Sequence, residues 1–104
     1  MLEPTQSGLA LARHGILASV RFVRGVGRRG SPEWCEYLEG RFDVTERLRA
    51  AESEYLATGD AGMQFALAYN IRWARAVKLS LEAIVGESKA RYARRKKKKR
   101  TLDN

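Results

Sequence analysis

No proline occurs after Asp60, and strong helix formers run on from there into a block of cations, RYARRKKKKR, at residues 91–100. Proline removes a backbone donor and clashes with the preceding turn, so a long stretch without it leaves a continuous helix available. The apolar residues of this stretch recur at helical spacing. Met63, Leu67, Trp73, Ala74, Val77, Leu81, Ile84, Val85 and Tyr92 share one face, and Phe65, Tyr69, Ala76, Leu79 and Ala83 share a second, nearly opposite one. Such a helix over about 61–93 extends some 35 residues, or about 50 Å at about 1.5 Å per residue. A helix apolar on two sides has to be covered on two sides. Shorter helices of the same chain cover one of them. The face carrying Phe65, Tyr69, Ala76, Leu79 and Ala83 is expected to meet a second copy, so the protein reads as a homo-oligomer.

The spacing predicts two helices upstream. Leu9, Ala12, Ile16, Val20 and Val23 step by three or four residues, which places a helix over about 7–24. Arg13, His14, Arg21, Arg24 and Arg28 fall on a neighbouring face, and Gly8, Ala12, Gly15 and Ser19 form a flank of small residues that permits close approach of another backbone. The segment GVGRRGSPEW at 25–34 then sets Gly25, Gly27 and Gly30 at the G-x-G-x-x-G spacing of a dinucleotide-binding loop. That fingerprint works between a strand and a helix. Here it follows a helix, and Ser31, Pro32 and Glu33 have the chemistry of an N-cap, a first helical position and an acidic first turn. The segment therefore reads as an interhelical turn, with Arg28 and Arg29 beside a helix N-terminus as a secondary phosphate contact. The pattern Arg28-Arg29-Gly30-Ser31 also resembles a basophilic kinase site.

The next helix is expected over about 32–57, with Trp34, Tyr37, Leu38, Thr45, Leu48, Tyr55 and Leu56 on one side and the acidic stripe Glu36, Glu39, Asp43 and Glu46 on the other. Thr58-Gly59-Asp60 ends it, and Asp60 is placed to cap the long helix that follows. The fold class is all-α: a three-helix antiparallel arrangement, residues 1–88, whose last helix extends into a basic segment at 89–104, completed by oligomerisation. Asn70 and Ser88 are placed on the inner face of the long helix, as local hydrogen-bonding groups.

A chain of 104 residues makes one small domain. Its single cysteine, Cys35, forms no internal disulfide, and its single histidine, His14, builds no metal site with it at a recognised spacing. The expectation is no metal, no cofactor, no catalytic pair and no enzyme activity. The apolar run from Gly15 to Val20 is bounded by Arg13 and Arg21, far short of the roughly 20 residues a membrane span needs. A reducing compartment suits the lone thiol, so the location reads as cytoplasmic, or nuclear in a eukaryote.

The net charge of +8 is concentrated. Lys89, Arg91, Arg94, Arg95, Lys96, Lys97, Lys98, Lys99 and Arg100 carry it, with Asp103 the one acid after residue 88. Such a cluster on a neutral body is a polyanion ligand whose affinity comes from phosphate neutralisation and counterion release. Tyr92 supplies one aromatic beside it, and Arg28 and Arg29 a second small basic site. The sequence thus points to a small non-enzymatic nucleic-acid-binding accessory protein, for RNA or DNA, with an oligomeric helical body. A protein-interaction adaptor or inhibitor, docking through the acidic face of the second helix or the outer face of the third, is the alternative. Attachment of the basic first helix and the tail to anionic membranes is a third reading.

Overall fold

In the computed structural model, residues 2–21 and 23–103 are described, with side chains as far as Lys98. Among the described residues the chain is all-helical, with four helices in the order α1 (Gln6–Val20), α2 (Pro32–Arg41), α3 (Thr45–Ala57) and α4 (Ala61–Asp103). The molecule is elongated, 66 × 24 × 21 Å. Its length is that of α4, since 43 residues at about 1.5 Å each span about 65 Å. The other three helices all pack on α4.

Three of the four starts have a side-chain cap. Thr5 accepts from the Gly8 amide at 3.0 Å to cap α1, Ser31 accepts from Trp34 at 3.3 Å to cap α2, and Asp60 accepts from Met63 at 2.9 Å to open α4. Pro32 occupies the first turn of α2, where its missing donor costs nothing.

Three expected boundaries are corrected. The first helix stops at Val20 rather than about residue 24. Arg21 bonds back to Ala18 and Val23 to Val20, tightening the end before Gly25 turns the chain at φ 82°. The helix expected over 32–57 is broken at 42–44, where Phe42 leaves helical geometry and the Asp43 carboxylate accepts from the Thr45 amide at 3.0 Å. Phe42 and Val44 both turn onto the core at this break, so burial of two apolar groups replaces a turn of helix. The last helix passes its expected end at about residue 93 and continues to Asp103.

The main core cluster gathers Ala12 and Ile16 of α1, Val26 of the glycine turn, Trp34, Cys35 and Leu38 of α2, and Ala76, Val77, Ile84 and Val85 of α4. Leu48, Leu67 and Ile71 are buried outside it, along the stretch where α3 lies on α4. Ion pairs fasten the edges. Arg13 reaches Glu87 at 2.6 Å, and Arg75 holds Glu52 at 3.2 Å, Glu3 at 3.7 Å and the Leu2 carbonyl at 3.2 Å. The arginine face of α1 therefore meets an acid of α4 through Arg13, while Glu36, Glu39, Asp43 and Glu46 all stay exposed.

Candidate nucleic-acid interface

The glycine turn and the basic end of α4 form one junction. Gly25, Gly27 and Gly30 all have positive φ, 82°, 87° and 89°, a region that an L side chain enters at a cost of about 1–2 kcal/mol. Gly30 has a second reason to be glycine. A β-carbon there would collide with the Ser88 carbonyl and the Tyr92 side chain, both on α4. The last glycine of the G-x-G-x-x-G spacing thus marks where the turn docks on α4. Arg29 completes the joint, its Nε donating to the Ser88 hydroxyl at 3.1 Å while its guanidinium lies 6.0 Å from the Trp34 ring centre. Arg28 and Arg29 are both exposed, but Arg29 is committed to this packing, and Arg28 is the freer of the two for an outside anion.

Ser31 is buried and its hydroxyl is used as the α2 cap, so the kinase-like pattern at 28–31 presents no accessible hydroxyl. Ser80 and Ser88 lie two turns apart on the buried side of α4. Ser80 donates to the Leu9 carbonyl at 3.2 Å and Ser88 accepts from Arg29, so each stitches a neighbouring element to the long helix. Ser88 takes the inner position expected of it, whereas Asn70 is exposed. Ser80 shows its signal only as a small residue in step with Ile84, and Ile71 only as an aliphatic one in step with Leu67.

From this joint onward α4 carries the cationic block. Lys89, Arg91, Arg94, Arg95, Lys96, Lys97 and Lys98 are all exposed; the side chains of Lys99 and Arg100 lie outside the described residues. Tyr92 is half-buried, its β-carbon beside Gly30, and the Lys96 ammonium sits 5.3 Å from its ring centre. An open groove of about 420 Å³ at the base of the basic segment is lined by Gly30, Pro32, Cys35, Glu36, Glu39, Lys89 and Tyr92. Burial pushes the Cys35 thiol pKa up, against the pull of Lys89, which keeps this thiol protonated and unreactive.

The expected oligomer face divides. Phe65 is 75% exposed, Tyr69 67% and Leu79 47%, and Ala83 is exposed as well. Ala76, at 1%, is a correction: it is part of the chain's own core, because α1 and α2 reach over this side of α4 in mid-helix. Trp73 is corrected in the other direction, from the inner face to 50% exposure. Phe65, Tyr69 and Trp73, four residues apart, therefore form an exposed aromatic line on the first third of α4.

Among the described residues no cluster of three or more potential metal ligands occurs, and no helix is long and apolar enough to cross a membrane. Compared with family models, with curated proteins and with solved structures, the chain finds no match in any of the three.

Proposed function

We propose that this chain is a small, non-enzymatic nucleic-acid-binding accessory protein that grips phosphates with the basic end of α4. The observation that carries the reading is the exposure of seven consecutive cations of the block, Lys89 through Lys98, on a helix that has left the body, with no acidic side chain interleaved. Cations so placed neutralise successive phosphates of a polyanion, and their affinity falls steeply with salt. Deleting residues 94–104 is expected to abolish most binding to DNA or RNA and to flatten its dependence on log salt, while thermal stability stays unchanged, because every core residue lies upstream. Full affinity in the deletion variant refutes the reading.

The body serves assembly in this proposal. The aromatic line and Leu79 fit a second copy of the chain, which gives a homo-oligomer carrying more than one basic arm. Changing Phe65 and Leu79 together to Glu should yield folded monomer in sedimentation, and a wild type already monomeric at tens of micromolar removes this element. The adaptor reading draws on the same exposed surface, with Phe65 and Tyr69 or the acidic stripe of α2 and α3 as the contact. It is distinguished by a protein that purifies free of nucleic acid yet retains one specific protein partner. A reducing cytoplasmic or nuclear location accords with the buried, reduced Cys35.

A further inference from the structure

The basic segment is a helix, and that fact goes beyond charge. We infer that the end of α4 is a rod that seats in the major groove of double-stranded B-form DNA, with its cations reaching the phosphates on both groove walls. The inference rests on the phosphate-binding reading above and adds the form of the polymer.

Three observations favour a duplex. First, α4 keeps helical geometry through the block to Asp103, and a helix with side chains is about 10–12 Å across, a match to a B-form major groove of about 12 Å. The A-form RNA major groove is too deep and narrow to admit it. Second, at about 100° per residue, Lys89 and Lys96 lie on one side of α4, Lys97 and Arg94 on the next, and Arg91, Lys98 and Arg95 opposite. A rod charged on its flanks meets two phosphate strands at once. Third, single strands are held by stacking bases on a series of open aromatic faces, and the basic segment offers a single half-buried tyrosine. Tyr92 is the one aromatic after Trp73; it is half-buried, with its β-carbon beside Gly30 and the Lys96 ammonium 5.3 Å from its ring centre. The helix also tolerates its like charges, since cations near a helix C-terminus oppose the negative end of the dipole, and a polyanion on both sides removes the remaining repulsion.

The test separates helix from charge. Ala93 is exposed on the bare segment, and Ala93→Pro breaks the helix there while keeping every cation. Fluorescence anisotropy would measure full-length wild type and Ala93→Pro against duplex DNA, single-stranded DNA and duplex RNA of equal length and matched salt, with near-ultraviolet dichroism confirming the folded body. The inference requires wild type to prefer duplex DNA at least tenfold, and Ala93→Pro to lose at least tenfold on duplex DNA and less than twofold on single strands. Ala93→Gly, which loosens the helix without kinking it, should fall between. Equal affinity for all three polymers, or an Ala93→Pro variant that binds duplex DNA as well as wild type, overturns the groove-seated rod and leaves phosphate binding intact. Absence of binding to any polymer overturns both.

Discussion

The middle of α4 and its end are one continuous helix held by opposite means. From Leu67 to Ser88 the helix is fixed by what touches it: Ile71 and Ile84 are fully buried, Ser80 and Ser88 bond to α1 and the glycine turn, and Glu87 answers Arg13. Beyond Tyr92 the described side chains, Ala93 to Lys98, are all exposed, and helicity there depends on intrinsic propensity, on the favourable placement of cations near the C-terminus and on the turn already formed upstream. Tertiary contact makes the first part cooperative with the body. The second part is free to respond to solvent, salt and ligand without disturbing the fold, which is the arrangement a docking arm needs.

The comparison breaks most visibly in the core. Ile84→Ala removes a fully buried side chain and should cost about 2–5 kcal/mol in urea unfolding, whereas a truncation of equal size at Lys97 should leave the unfolding midpoint in place. If the two changes cost the same, the end of the helix belongs to the cooperative unit and the division fails.

The joint between the two parts gives a middle-sized effect. Gly30→Ala imposes both a disfavoured φ and a collision with the Ser88 carbonyl, and is expected to lose more than the about 1–2 kcal/mol that conformation alone costs. Gly25→Ala, with φ 82° and no atom within 4 Å of the added carbon, should lose only that conformational amount. Equal losses at the two positions, in thermal or denaturant unfolding, show that the turn does not clamp α4.

The smallest expected effect is in acid. The Arg13 guanidinium, hydrogen-bonded to Glu87, holds that carboxyl below the ordinary glutamate range. A depressed folded-state value means a contribution present above the unfolded pKa, about 4.3, and lost as pH falls through the folded one. Wild type should therefore lose slightly more stability than Arg13→Ala on acidification below that point. Both side chains are well exposed, so the difference stays small, and parallel acid curves remove the pair from the account of what holds α1 to α4.

Local chemistry was legible in the sequence, and long-range docking was not. Ser31, Pro32 and Asp60 announced their helix starts because a cap acts within three residues of itself. The break at 42–44 was hidden because Leu38, Thr45 and Leu48 keep a spacing that a single helix also satisfies. The clue was Asp43, an aspartate able to accept from the amide two residues on and so to open a turn, as it does at Thr45. Ala76 and Trp73 were assigned to the wrong sides because the amphipathic pattern of α4 shows two apolar faces and does not say where α1 and α2 end along them. The glycine turn was recognised as a turn, but the reason Gly30 admits no side chain lies 58 positions away, at Ser88. Of the interface, the cationic block and its separation from the body could be read directly, and its persistence as helix only from the structure.

The grip of Arg75 on the Leu2 carbonyl and on Glu3 gives the molecule a built-in ruler. It pins the start of the chain beside the waist of α4, about 28 residues and hence about 42 Å of straight helix from Asp103. A dye pair at the two ends would report that span directly. Unwinding of the arm would change the transfer efficiency while the pinned end stayed still, so one reading distinguishes an arm that is rigid before it meets a polymer from one that stiffens on contact.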